Sequence, residues 1–286
     1  MERKLVSFDW GIKKILRSKA NFVVLEGFLS ELLHEDIRIQ DILESESNKE
    51  HVKDKYNRVD LLVKNSKEEL IIIEVQFERQ SDYLHRILYG TSKIITEHIS
   101  EGEQYSEVKK VISVSIVYFD IGQGTDYIYK GTTSFIGIHN HETLQLAEDQ
   151  KLKFDKKCIS DIFPEYYLLK LNNFDDVAKD TLDEWFYFFK NSSVKDNFKA
   201  RGIREAKKVL DIAKLSDKAR KEYNYYIDSL RDRASYFDSS FGDGHRQGKE
   251  EQALETASSM LKDGLPPETV AKYTGLSTED LNNLIG

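Results

Sequence analysis

The chain has 286 residues, with 42 Lys and Arg against 50 Asp and Glu, and its formal net charge is −8 at pH 7. Hydrophobic residues make up 40% of the composition and charged residues 32%. The 15 Phe and 15 Tyr supply enough apolar material for a core, which excludes a disordered acidic protein. The acidity also argues against a protein that coats nucleic acid with its whole surface, although a local basic patch stays compatible with DNA binding.

The sequence also bears on compartment and partners. No stretch approaches the roughly 20 consecutive apolar residues that a membrane span requires. The first 14 residues lack the uncharged apolar core of a secretory signal. Cys158 is the single cysteine, so neither an internal disulfide nor a cysteine-built zinc site is expected. We therefore predict a globular cytoplasmic protein with no membrane partner.

The first 175 residues mix helical and strand periodicities. In chain order they predict a helical region at 8–33 with a break near 18–21, a strand at 37–43, a hairpin of strands at 59–63 and 70–77, a helix at 83–99, a strand at 111–119, and a second hairpin of 126–129 with 133–139. The β-branched run at 111–119 is typical of a strand buried on both faces. These patterns predict an α/β core over residues 1–172.

The strand signal disappears after residue 175. Helices are predicted at 180–190, 203–215, 217–237 and 249–262, with the glycine-rich segment 241–248 as a linker. We therefore predict an all-helical extension at 173–240 and a small helical tail at 249–286. An aromatic cluster is expected to pack the extension onto the core; it consists of Trp185, Phe186, Phe188 and Phe189.

The tail has the spacing of a helix-turn-helix over residues 269–285. Residues 249–286 contain three Lys against seven Asp and Glu, so their local net charge is −4. A module that reads duplex DNA is normally basic. The charge therefore favours self-association or a regulatory contact, and we predict a homo-oligomer formed through the C-terminal helices.

One predicted strand is apolar except for an acidic residue, Glu74, and a glutamine, Gln76. In the predicted strand LIIIEVQF, Glu74 and Gln76 point to one face and Val75 to the other. A carboxylate buried there is costly unless a cation or a donor meets it. The hairpin brings Asp60 close to Glu74, and a divalent cation such as Mg²⁺ would relieve their repulsion. The alternative is a structural glutamate paired with an arginine.

The order of these motifs resembles a known family. Asp60 on one strand and Glu74-Val75-Gln76 on the next, followed by a helix, resemble the PD-(D/E)XK nuclease core with glutamine in place of its lysine. The wider pattern resembles the Rpn family of recombination-promoting nucleases and putative transposases. Its further matching segments are 8–10, 28–33, 58–60, 86–90, 105–107, 111–113 and the tail at 261–281. The resemblance implies a mixed sheet flanked by helices.

The resemblance further implies a metal-dependent DNA endonuclease linked to recombination or transposase-like activity. Asp60 and Glu74 would hold the metal, Mg²⁺ with Mn²⁺ or Ca²⁺ as alternatives, and Asp9 would be an outer acidic partner. Gln76 would take the place of the catalytic lysine. Glutamine offers an amide dipole and no charge, so the metal and nearby cations would have to supply more of the electrostatic stabilisation.

Cations near these segments are the candidate DNA contacts. Residues 1–20 carry a local excess of four positive charges, and phosphate contacts come mainly from such side chains. The predicted substrate-binding residues are Lys13, Lys14, Arg58 and Arg86. A solvated helix face is the alternative for any such run of charges. The rival function for the whole chain is a catalytically silent core that serves as a DNA-binding or oligomerisation module.

Overall fold

The computed structural model describes residues 5–43 and 60–285. They divide into two compact units, one ending at Tyr223 and one beginning at Asn224. The helices over these residues are α1 (Phe8–Lys14), α2 (Phe22–Leu33), α3 (Tyr83–Glu97), α4 (Glu148–Phe154), α5 (Thr181–Asn191), α6 (Ile203–Val209), α7 (Asp217–Lys262), α8 (Pro267–Thr274) and α9 (Thr278–Ile285). No helix within this part of the chain is long and apolar enough to cross a membrane.

The first unit is built on one mixed sheet. Its strands in the described residues are β1 (Ile39–Leu43), β2 (Leu61–Asn65), β3 (Leu70–Gln76), β4 (Val111–Val117), β5 (Ile128–Gly131) and β6 (Glu165–Lys170). Their order is β1-β2-β3-β4-β6-β5. β2 is antiparallel to both β1 and β3. β3, β4 and β6 are parallel to one another, and β5 is antiparallel to β6. The mixed sheet with flanking helices confirms the predicted fold class.

The two central strands are the most apolar, as their sequences predict. All seven residues of β4 are buried, and six of the seven residues of β3 are buried. The connection from β3 to the parallel β4 runs through α3, as a parallel pair requires a crossover. One end of α3 packs through Ile94 against Leu70 and Val111.

The helices α1, α2 and α5 share an aromatic core. The ring of Phe8 lies 4.4 Å from that of Phe189, and the ring of Phe28 lies 4.9 Å from Phe189 and 5.7 Å from Trp185, between centroids. This confirms that the predicted aromatic cluster packs the later helices onto the first part of the chain. The break between α1 and α2 is also confirmed, as a 3-10 turn at Lys19–Asn21.

Two glycines allow α2 to approach the start of α6. A Cβ on Gly27 would lie 2.3 Å from the carbonyl oxygen of Arg201. Gly202, with φ of +75°, supplies the left-handed turn that begins α6. A side chain at Gly27 would separate the two helices, and Gly202 adopts a conformation that other residues reach only with strain.

The second predicted hairpin is wrong. Residues 133–139 do not form a strand, and β5 pairs instead with β6, which the periodicity did not predict. β6 carries charged residues at both ends, Glu165 and Lys170, and these obscure its pattern. The position of β6 follows from its pairing with β4. Because β4 is buried, its backbone N–H and C=O groups on the side away from β3 need partners, and β6 supplies them.

The predicted linker is also wrong, because residues 241–248 are helical and belong to α7. Each glycine in a helix interior costs roughly 1 kcal/mol relative to alanine, but the helix-forming residues on both sides carry the helix through. Beyond it, Ala257 packs with Val270 of α8 and Leu281 of α9. Gly275, with φ of +72°, ends α8 before the turn into α9. The helix-turn-helix shape predicted for the tail is thus present.

Candidate active site

Asp60 and Glu74 lie side by side at one end of the β2–β3 pair. Leu61 of β2 pairs with Ile73 of β3, so Asp60, just before β2, stands at the level of Glu74. The Asp60 Oδ2 atom accepts a hydrogen bond of 2.8 Å from the backbone N–H of Val75. Arg17 donates to the carbonyl oxygen of Asp60 at 2.8 Å. These contacts fix the aspartate against the strand that carries the glutamate.

Lys13 joins Asp60 to the first helix. Its Nζ atom lies 2.7 Å from Oδ1 of Asp9, one turn earlier in α1, and 3.2 Å from Oδ1 of Asp60. The side chain of Asp9 is only 3% exposed, whereas that of Lys13 is 43% exposed. The structure thus brings three of the predicted site residues together as one carboxylate–ammonium–carboxylate group.

Arg86 meets the other carboxylate. It comes from the first turns of α3 and forms an ion pair with Glu74, whose side chain is 8% exposed. A second guanidinium nitrogen, Nη1, donates to Oε1 of Gln80 at 3.2 Å. Glu74 is therefore a buried glutamate paired with an arginine, as the structural alternative predicts. The site differs from a simple ion pair because a second carboxylate, Asp60, lies beside Glu74.

The other predicted site residues make contacts elsewhere or lie outside the described part of the chain. Gln76 follows Glu74 on the same face of β3, and its Nε2 atom donates to the carbonyl oxygen of Glu78 at 3.2 Å. Lys14 pairs instead with Glu222 at 3.8 Å, and its side chain is 55% exposed. Arg58 lies outside the described residues. Among the predicted cations that the structure describes, Lys13 and Arg86 contact the carboxylates and Lys14 does not.

Two further side chains at the site were missed by the sequence analysis. Tyr83, at the start of α3, is fully buried, and its hydroxyl lies near Ser115 and Glu74 without a well-formed hydrogen bond among the described residues. Ser115 stands beside Glu74 in the register of β3 with β4 and is 2% exposed. The sequence signal for this position was a serine inside the β-branched run of β4. It marks a polar position, and the register places it beside Glu74 of β3.

Burial dominates the electrostatics of both carboxylates. It raises the pKa of Glu74 above its usual value even though Arg86 opposes the shift, and the charge of Asp60 adds to the rise. Burial likewise raises the pKa of Asp60 against the effects of Lys13 and the Val75 N–H. Burial alone would lower the pKa of Lys13, but Asp60 and Asp9 outweigh it and the pKa of Lys13 is raised. Lys13 and Arg86 therefore do not fully offset the cost of burying the two carboxylates.

This donor set fits a hard divalent cation. Within residues 5–43 and 60–285, no cluster of three or more His, Cys, Asp or Glu side chains has the arrangement of a metal site. Asp60 and Glu74 are adjacent carboxylates whose oxygens could hold such an ion. Magnesium is commonly held by one or two carboxylates, with waters and substrate phosphates completing its shell, and two adjacent carboxylates with raised pKa values suit that role.

An antiparallel hairpin with one acidic residue just before its first strand and another in its second strand, followed by a crossover helix, is the arrangement of a nuclease-like core of the PD-(D/E)XK class. A family model described as PD-(D/E)XK nuclease family transposase matches residues 6–240. A second, described as Rpn/YhgA-like nuclease family, C-terminal HTH domain, matches residues 250–285. The chain therefore belongs to the PD-(D/E)XK nuclease family transposases, which typically use divalent metals. No curated protein and no solved structure matches the chain significantly.

Proposed function

We propose that the chain is an endonuclease that hydrolyses DNA phosphodiester bonds with Mg²⁺, and that this cutting serves recombination or a transposase-like reaction. The observation that carries the proposal is the adjacency of two carboxylates with raised pKa values, the partly buried Asp60 and the buried Glu74. Two adjacent carboxylates with a purely structural role would destabilise the fold through their repulsion, whereas a divalent cation bound between them would offset it. Mn²⁺ or Ca²⁺ would be the alternative ions.

The proposed reaction is an in-line displacement at phosphorus. A water oxygen forms a bond to phosphorus while the bond to the leaving ester oxygen breaks; the water gives up a proton to solvent and the leaving oxygen takes one up. A divalent cation held at this place would polarise the phosphodiester. Among the residues of the chain, Asp60 and Glu74 would hold it, Arg86 would bind a phosphate oxygen, and Gln76 would orient the water through its amide.

A plasmid assay tests the proposal. The purified protein is incubated with supercoiled plasmid in Mg²⁺, Mn²⁺, Ca²⁺ or EDTA, beside the near-isosteric variants Asp60→Asn and Glu74→Gln. Metal-dependent nicking that both variants lose, with their folding intact, is the expected result. Nicking that persists in both would assign the activity to another site or to a contaminant.

A catalytically silent DNA-binding module is the second candidate. Lys13 and Arg86 already pair with the two carboxylates, and Gln76 brings no charge of its own. Under this alternative, plasmid is retained in a gel-shift assay while no metal supports nicking. Asp60→Asn and Glu74→Gln would then leave DNA affinity unchanged or raise it, because each removes a negative charge.

For the C-terminal unit we propose self-association in addition to DNA binding by its helix-turn-helix. In α7, several large aromatic side chains are exposed: Tyr225, Tyr236, Phe237 and Phe241. Light scattering of the full chain and of the double variant Phe237→Glu/Phe241→Glu tests this proposal. An assembly in the unaltered protein that dissociates in the variant supports it, and a monomer in both contradicts it.

A further inference from the structure

We infer that Lys13 is a catalytic residue, which supplies from α1 the positive charge that Gln76 cannot supply from β3. The inference rests on the proposed nuclease function and assigns a new role within that site. A lysine that only binds phosphate needs no fixed position. Lys13 is held by two carboxylates, and one of them, Asp60, belongs to the proposed cation site.

The first argument is the fixed position of the ammonium group. Asp9 is almost fully buried and holds Nζ of Lys13 at 2.7 Å, while Asp60 lies 3.2 Å from the same atom on the other side. A lysine on a helix surface normally samples many rotamers, and both contacts reduce that freedom. Asp9 is thus a positioning residue: it has no need to touch substrate, and it orients the group that does.

The second argument is hydrogen-bonding capacity. A lysine ammonium has three N–H donors, and Asp9 and Asp60 use two of them. With 43% of its side chain exposed, Lys13 can turn the third towards a phosphate oxygen. Arg86 has two of its nitrogens engaged, with Glu74 and Gln80. Lys13 can therefore reach substrate without giving up a contact, and its side chain is more exposed than that of Arg86, which is 31% exposed.

The third argument concerns Gln76, whose amide nitrogen donates to the carbonyl oxygen of Glu78. As water attacks and the ester bond breaks, negative charge grows on the phosphoryl and leaving oxygens. An amide meets that growth with a dipole only, whereas an ammonium meets it with a full charge. Lys13 acts here as a fixed cation and transfers no proton, so the balance of the reaction is unchanged.

The experiment compares Lys13→Gln, Lys13→Arg and the double variant Lys13→Gln/Gln76→Lys. The matched control is Lys93→Gln, because Lys93 also forms an i,i+4 ion pair, with Glu97 at 3.5 Å, and is even less exposed. Nicking of a defined plasmid in Mg²⁺ gives kcat and KM, thermal unfolding checks the fold, and calorimetry with Mn²⁺ alone measures metal affinity.

We expect Lys13→Gln to lower kcat about 10²- to 10³-fold, the usual cost of losing one electrostatic contact in the transition state, with KM changed only a few-fold. Lys13→Arg should keep most of the activity, and Gln76→Lys should recover at least about tenfold of the loss in the Lys13→Gln background. Mn²⁺ affinity should be equal or tighter in Lys13→Gln, because a competing cation has left Asp60. Lys93→Gln should keep the kcat of the unaltered protein.

Three results would overturn the inference. Unchanged kcat in Lys13→Gln, while the unaltered protein cuts, removes the catalytic role and leaves the nuclease proposal standing. Lost Mn²⁺ binding in Lys13→Gln shows that Lys13 only supports the shape of the carboxylate pair. Failure of the unaltered protein to cut in any metal removes the nuclease proposal, and this inference with it.

Discussion

Two glutamates are buried to nearly the same extent in the sheet, and their surroundings differ in net charge. Glu74 in β3 is 6% exposed and pairs with Arg86, with Asp60 as a close negative neighbour. Glu165 in β6 is 8% exposed and pairs with two lysines, Lys110 at 2.9 Å and Lys130, beside a polar cavity of about 250 Å³.

The two carboxyls respond in opposite directions. Burial favours the protonated form of both. At Glu165, hydrogen bonds from Lys130 and Lys110 outweigh burial and lower the pKa. At Glu74, burial together with Asp60 outweighs Arg86 and raises it. Burial is therefore similar at the two glutamates, and the balance of charges around each one decides the direction of its pKa shift.

The largest expected difference is in activity. Glu74→Gln should lower plasmid nicking by at least about 10³-fold, because a metal ligand contributes several kcal/mol to the transition state. Glu165→Gln should keep nicking within a few-fold of the unaltered protein when assayed well below its unfolding temperature. Equal losses of nicking in the two variants would mean that the surroundings of the two glutamates do not distinguish a residue of the active site from a structural one.

The next largest effect is on stability, where Glu165→Gln should have the larger effect of the two variants. Glu165→Gln should lower the free energy of unfolding by about 3 kcal/mol, because Lys110, with a side chain 11% exposed, loses its carboxylate partner. Glu74→Gln in EDTA should leave stability equal or higher, because a raised folded pKa means that the charge on Glu74 costs stability. Urea unfolding of both variants measures the difference, and a large loss in Glu74→Gln alone would reverse the assignment.

Metal binding should separate the same variants. At a Mn²⁺ concentration 100 times its dissociation constant, the unaltered protein should gain about 2.7 kcal/mol of stability. That gain corresponds to a rise of several degrees in unfolding temperature for a domain of this size. Glu165→Gln should keep the shift and Glu74→Gln should lose it. A shift that persists without Glu74 would place the ion elsewhere.

The smallest effect is the pH dependence of stability in EDTA. A raised folded pKa means that ionised Glu74 costs stability above that pKa, so any advantage of Glu74→Gln should shrink as the pH falls through it. A lowered folded pKa means that Glu165 stabilises above its ordinary value of about 4.3 and that this gain is lost as the pH falls further. Unfolding curves from pH 7 to pH 3 measure both trends, and parallel curves would contradict them.

Much of the fold followed from local patterns. The apolar β3 and β4, the helix between them and the break between α1 and α2 are visible in residue periodicity, which depends only on neighbours in the chain. β6 and the continuity of α7 were not predicted, because the first depends on pairing with a buried strand and the second on helix formers overriding three glycines. Similarly, the buried Glu74 was visible in the sequence, whereas the contacts of Lys13 with Asp9 and Asp60 were not.

By itself, the sequence determined that a carboxylate would stand in a buried strand with a second one near it, because alternation and a short hairpin leave little choice. Only the tertiary structure decided which cations meet them. Lys13 reaches Asp60 across 47 positions of chain and Arg86 reaches Glu74 from a different helix. Such contacts depend on how α1 and α3 lie against the sheet, and that arrangement results from burial of their apolar faces rather than from any pattern in the charged residues themselves.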